Sequence, residues 1–228
     1  MTCEHASPRI PKELGDLGLP AAVLASHRAF DVGALGIAEV LARALHAPLH
    51  VGEWSRLVAD LNRSAVHAGV IARRVDGRRV PGNALSSPQR TERLHRYWLP
   101  YRDAVAGDVH AASKRGPVLH LSVHSFVEEL HGVHRGNDIG LLHDPHRPHE
   151  VGFCEALKAL LVNAGLVTRR NFPYFGNTDG FTSHLRGQLP ATRYLGIELE
   201  CNQRLARTRA GQRRLAVALV AALRAMLA

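Results

Sequence analysis

The apolar run Pro117-Val118-Leu119-His120-Leu121-Ser122-Val123 constrains this chain most, because it ends in His124 and is followed at once by Ser125 and Phe126. Such a run reads as a buried strand that delivers an imidazole to its carboxyl end, where open α/β sheets place their chemistry. A histidine there could be structural on its own. Around it the sequence supplies His5 after a short N-terminal segment, Asp60-Leu61-Asn62-Arg63 after a second apolar stretch, and Glu200 inside Gly196-Ile197-Glu198-Leu199-Glu200. Histidines, an Asn-Arg pair and a late glutamate, each near a strand end, are the components of a mononuclear zinc hydrolase.

The strand and helix patterns alternate along the chain. Apolar positions Ala34, Ile37, Val40, Leu41 and Leu45 give a helix over 31–47, and further helical patterns run over 87–112, 150–164 and from Asn202 to the C-terminus. Strands are expected in the N-terminal 1–5, in Ser55–Asp60, in 117–123, in 166–169 and in 193–200. The intervals 64–87 and 128–149 read as long irregular loops. This alternation implies one α/β domain over residues 1–228, a three-layer αβα sandwich with a mixed, mostly parallel sheet. The first strand is so short that a native start further upstream is an open reading.

With 228 residues and 46% apolar content, the chain can bury a full core. No apolar stretch has the length of a membrane span, and the N-terminus carries no signal-peptide pattern, which together point to a cytoplasmic protein. Cys3, Cys154 and Cys201 lack metal-type or disulfide spacing and read as buried thiols. The net charge of +9 comes mostly from dispersed arginines, and aromatic residues make up only 5%. Nucleic-acid binding is therefore not expected, whereas a small anionic substrate fits.

A zinc hydrolase keeps three protein ligands and one open position. His5 and His124 are the first two candidates. Asp31 is the preferred third, with Glu4 and His27 as alternatives and a helix N-cap as the plain structural reading of Asp31. Glu200 is the candidate general base. Glu198, two residues earlier on the same strand face, is its competitor. Arg63 with Asn62 would grip a substrate carboxylate, Arg56 would serve as a second anion binder, and Asp60 would orient an arginine or back a ligand histidine. Arg135 and Tyr174, on later irregular segments, are further substrate-binding candidates. His143, His146 and His149 with Asp144 form a possible metal clip in a loop.

Taken together, the motifs resemble the N-formylglutamate amidohydrolase family over nearly the whole chain. The resemblance rests on Cys3-Glu4-His5-Ala6-Ser7, the segment His27 to Ala34, the segment Ser55 to Arg63, Ser122-Val123-His124-Ser125-Phe126, and Ile197 to Gln203. That family is similar in fold to zinc carboxypeptidases and aspartoacylase-type deacylases. The resemblance implies zinc at His5 and His124, carboxylate binding by Asn62 and Arg63, and Glu200 rather than Glu198 as base. The family's usual Thr-Pro after His-Ser-Phe is replaced by Val127-Glu128, a departure next to the loops that would shape substrate choice. The expected function is zinc-dependent cleavage of an N-acyl amino acid. Peptide or peptidoglycan amide cleavage, and a non-catalytic anion-binding relative, are the alternatives.

Overall fold

The computed structural model describes residues 1–227. A six-stranded sheet is built from β1 (Thr2–Cys3), β2 (His50–Val51), β5 (Val118–Phe126), β8 (Ile139–Leu142), β9 (Thr168–Arg170) and β10 (Tyr194–Asn202). Two small hairpins, β3 (Arg74–Val75) with β4 (Arg78–Arg79) and β6 (Glu129–Leu130) with β7 (Val133–His134), stand outside it. The spatial order is β2-β1-β5-β10-β8-β9, with β8 antiparallel to β10 and the remaining pairs parallel. The helices are α1 (Ala21–Leu24), α2 (Ala34–Ala44), α3 (Ser87–Tyr97), α4 (Leu99–Ser113), α5 (Pro148–Asn163), α6 (Phe181–Gln188), α7 (Gln203–Ala206) and α8 (Arg209–Leu227).

Strand alternation divides the sheet chemically. Leu121, Val123, Ile197, Leu199 and Cys201 point to one face and pack with Ile37 and Leu41 of α2, Leu157 and Leu161 of α5, and Leu215 and Leu219 of α8. The intervening residues form the other face. At its base Tyr194 packs with Val105 and Val109 of α4 and with Phe181 and Leu185 of α6. Helices on both faces of a mixed, mostly parallel sheet make the expected three-layer sandwich. No helix among the described residues is long and apolar enough to cross a membrane.

Several local expectations fail for identifiable reasons. Ser55–Asp60 is not a strand. Its amides bond to Arg9, Ala29 and Val70 carbonyls and to its own Ser55 carbonyl, so buried apolar residues are held in turns. The irregular reading of 128–149 misses β8, four residues that are all buried although one is glycine and the flanks are polar. The loop over 64–87 holds the β3–β4 hairpin. The helix expected over 87–112 is two helices. A Ser86–Gln89 capping box starts α3, and Pro100 in the first turn of α4 interrupts the backbone ladder. The C-terminal helix likewise breaks after the one-turn α7. The short strand β2 and helix α6 were not expected.

Midway along β5, on the polar face, His120 is fully enclosed. One ring nitrogen meets the Thr2 hydroxyl at 2.8 Å and the other meets the Tyr194 hydroxyl at 2.7 Å. Burial, reinforced by the N-terminal ammonium, pushes its pKa down to about 3, so the folded protein binds it neutral. The unfolded chain, with an ordinary histidine pKa, takes up the proton first as pH falls. Stability therefore rises with pH between about 3 and 6.5. In His120→Gln, the gain in unfolding free energy from about pH 4.5 to pH 6.5 should shrink by about 2 kcal/mol relative to the parent. Urea unfolding at the two pH values measures the change, and an unaltered gain would exclude His120 as the source.

Candidate active site

β5 and β10 run side by side in parallel register, pairing Ser122 with Glu198 and His124 with Glu200. These four residues share the polar face, above the part covered by α4 and α6. The chain at β1 stops being a strand after Cys3, and the turn that follows brings Glu4 and His5 against the same spot. Asp31 arrives from the segment before α2. Gly33 lets that segment turn: it has φ of +82°, and a Cβ there would stand 1.9 Å from the Ala206 carbonyl oxygen. Gly33, not Asp31, is the N-cap of α2, so the Asp31 carboxylate is free to face inward.

His5, Asp31 and His124 present ligand atoms that all lie within 4.8 Å of one another, and they are the one such group among the described residues. Asp31 Oδ2 lies 2.9 Å from His124 Nδ1 and 3.4 Å from His5 Nδ1. A tetrahedral cation with bonds of about 2.0–2.1 Å has donor–donor edges of roughly 3.3 Å, close to both separations. The opposite nitrogen of each ring is already engaged. His5 Nε2 meets Asp60 Oδ1 at 2.7 Å. His124 Nε2 meets Ser122 Oγ at 2.9 Å, and that hydroxyl donates to Glu4 Oε2 at 2.7 Å. Outer partners of this kind fix the Nε2–H tautomer and turn the Nδ1 lone pair toward the cluster. His5 Nδ1 is buried without a hydrogen-bond partner, an unpaired lone pair that fits a place in a metal-binding set.

The charges agree. Burial opposes ionisation of Asp31, yet His5 and His124 hold its pKa far below the usual carboxylate range. His124 resists burial through Asp31, with Glu4 adding, and its pKa rises to about 10. The carboxylates that favour a proton on His124 would also favour a cation, in competition with that proton. Of the alternatives for the third ligand, Glu4 lies against the far nitrogen of His124, its Oε2 3.3 Å from Nε2, and half-buried His27 is not part of the group. Cys3 and Cys201 face the opposite, apolar side of the sheet as free thiols, and the His143, His146 and His149 clip does not form.

The cluster floors a cavity of about 450 Å³, lined also by Arg56, Asn62, Arg63, Tyr174, Glu198 and Glu200. Glu200 Oε2 is buried and unpartnered. Burial raises the Glu200 pKa to about 7, with His124 opposing and Asp31 and Glu198 adding. The strand beside it makes room, because a Cβ on Gly140, its register partner, would meet the Phe172 carbonyl oxygen at 2.1 Å and Glu200 Cβ at 3.2 Å. Glu198 differs. Its Oε1 accepts from the Thr182 hydroxyl at 2.6 Å, and its Oε2 makes a longer contact with Asn62 Nδ2 at 3.4 Å. Two carboxylates on one strand face thus have separate environments, one tied into the fold and one free.

Asn62 is also used internally, its Oδ1 accepting from Phe181 N at 2.7 Å at the start of α6. Arg63 turns its guanidinium to the cavity with Nη1 donating to the Asp179 carbonyl at 2.7 Å. The Asn62–Arg63 turn is held from behind by buried Arg102, which donates to Leu61 O at 3.0 Å, and by the Trp98 indole, which donates to Arg63 O at 3.0 Å. Arg56 is 30% exposed, donating to Asp60 Oδ2 at 2.7 Å with Asp31 Oδ1 at 3.6 Å. Arg135 does not line the cavity. It is buried, stacks near Phe126 and Tyr174, and donates to the Tyr174 hydroxyl at 3.0 Å, so it reaches the cavity only through that tyrosine. Sequence reading had no place for Ser122, Thr182 and Arg102. Only Ser122 left a signal, its position two residues before His124 on the same strand face.

A mixed α/β sheet with imidazoles, carboxylates and arginines converging on one cavity is the architecture of a hydrolase. The chain matches the N-formylglutamate amidohydrolase family over residues 1–206, and it belongs to that family. It is similar to the crystal structure of gene product Atu2144 from Agrobacterium tumefaciens, with a TM-score of 0.85 and 31% identity, covering 100% of this chain and 90% of that one. It is also similar in fold to the N-formylglutamate amidohydrolase of Ralstonia eutropha JMP134, with a TM-score of 0.79 and 22% identity, over 99% and 93% of the two chains. No curated protein matches it in sequence.

Beneath the cavity wall, Glu150 and Arg186 form a buried ion pair at 2.9 Å. Arg186 also donates to the carbonyls of Gly176 and Gly196, and Glu150 accepts from Gly196 N at 3.0 Å, joining the Tyr174 loop to β10. Glu150→Ala would strand the guanidinium in the interior. It should lower stability by about 3–5 kcal/mol, read from urea or thermal unfolding.

Proposed function

We propose that the protein is a zinc-dependent amidohydrolase of N-acyl amino acids, with His5, Asp31 and His124 holding the cation and Glu200 moving the proton. One observation carries the reading: both imidazoles turn Nδ1 toward Asp31 while Asp60 and the Ser122–Glu4 relay occupy their far nitrogens. Two imidazole nitrogens and one carboxylate oxygen, with a cavity above them, suit zinc in a catalytic rather than a closed structural site. When bound, zinc supplies a Lewis acid that acidifies water and polarises an amide carbonyl.

The side chains supply the rest. Glu200, free and with its pKa raised to about 7, is matched to taking a proton and returning it to the departing nitrogen. Arg63 offers its fork to the substrate carboxylate, and Asn62 and Glu198 set the turn from which it projects. Arg56, tethered to Asp60 and Asp31, places positive charge beside the cluster, where it stabilises the charge developing on the carbonyl oxygen. Tyr174, its hydroxyl oriented by Arg135, closes the opposite wall. The three free, buried thiols suit a reducing, cytoplasmic setting.

Elemental analysis of the purified protein should find one zinc per chain. Glu200→Gln should keep that zinc and lose activity on N-acyl amino acids by roughly 10²–10⁴-fold. Retained turnover in this variant would remove Glu200 from the role, and inability to take up zinc would favour a non-catalytic anion binder. Asp60→Asn should weaken zinc by about 10–100-fold in a competitive chelator titration, through loss of the His5 partner.

A further inference from the structure

Resting on that reading, we infer that the substrate carries a single carboxylate and an apolar side chain, so that N-formylglutamate is a poor substrate for this chain. The inference comes from the charges around the cavity. Among the described residues, the two guanidiniums that line it are Arg56 and Arg63. Arg56 is already committed to Asp60 and Asp31. Arg63 makes only a contact to a backbone carbonyl and stands ready for one carboxylate. Arg135 and Arg102 lie behind the wall, the first against Tyr174 and the second stacked on Trp98 and Phe181.

Carboxylates outnumber these cations. Asp31, Asp179, Glu198 and Glu200 line the cavity, and Asp60 adjoins it through Arg56. One substrate carboxylate finds Arg63. A second one, on a glutamate side chain, finds no uncommitted guanidinium among the lining residues and meets a lining that already holds Asp179 and Glu198, a like-charge balance that discriminates against it.

The remaining wall has the opposite character. Leu142, Pro173, Tyr174 and Phe175 line one side, and two of them are unusually open for aromatic residues, Tyr174 at 43% and Phe175 at 63% exposure. Exposed aromatic surface at a cavity is covered by apolar ligand groups. A leucine- or phenylalanine-type side chain would remove that surface from water.

The test compares N-formyl-leucine, N-formyl-phenylalanine and N-formylglutamate with the zinc-loaded protein. The apolar amides should show kcat/KM at least tenfold above N-formylglutamate. The same order should hold for binding to Glu200→Gln, measured by calorimetry. Equal or better use of N-formylglutamate, in turnover or in binding, overturns the specificity and leaves the hydrolase reading intact. Apolar-selective binding with no turnover by the parent protein sustains the specificity and overturns the hydrolase reading. Absence of binding by all three overturns the inference. Phe175→Arg, at an exposed position, adds a cation to the apolar wall and should raise kcat/KM for N-formylglutamate about tenfold while lowering it for N-formyl-leucine. No gain for glutamate in a folded, zinc-binding variant counts against the inference.

Discussion

The in-register parallel pairing of β5 with β10 is the constraint on which the rest depends. It sets His124 opposite Glu200 and Ser122 opposite Glu198 on one face, and the apolar residues between them anchor both strands to α2, α5 and α8. A shift of β10 by one residue would send Glu198 and Glu200 into that core, because side chains alternate along a strand. The apolar face therefore specifies the register, and the register specifies the distance between His124 and Glu200. In this sense the core and the site are two sides of one pairing.

Gathering carboxylates and imidazoles in a buried space is costly unless each is compensated. The fold does so in chains: Arg56 to Asp60 to His5, and Glu4 to Ser122 to His124, with Asp31 between the two rings. Each chain ends on a ring nitrogen that points at the same place. The exceptions are the informative atoms. His5 Nδ1 and Glu200 Oε2 are buried without partners, and they are the atoms that the proposed chemistry assigns to the cation and to the travelling proton.

Much of this was legible in the sequence. The β5 strand, its terminal histidine, and the pair Glu198 and Glu200 on one face follow from alternation alone, and the motif order pointed to the family. The choice between the two glutamates was not legible from local pattern. It depends on Thr182 and Asn62, 16 and 136 residues away along the chain, satisfying Glu198 and leaving Glu200 alone. The helix-cap reading of Asp31 was the lesser alternative in local pattern, and it falls because Gly33 holds the cap position. Strand β8 hid for a different reason: four residues carry no periodicity, and its burial comes from neighbours that are distant in sequence. Ser55–Asp60 misled because buried turns and buried strands have the same apolar composition.

The same distinction between a shared scaffold and local surroundings bears on what the protein acts upon. The His5–Asp31–His124 cluster and the Asn62–Arg63 turn are built from motifs that the family match spans, and their partners come from β5, from Asp60 and from α4 and α6. Pro173, Tyr174 and Phe175 line another part of the cavity, on a loop within the same match that is held to the body by Arg135 and by the Glu150–Arg186 pair. Phe175, 63% exposed, can be exchanged without disturbing that cluster, whereas Tyr174 carries the hydroxyl that Arg135 holds. Chemistry and selectivity are thus mechanically separable here. Family membership speaks to the first, and the charge and apolarity of one loop speak to the second.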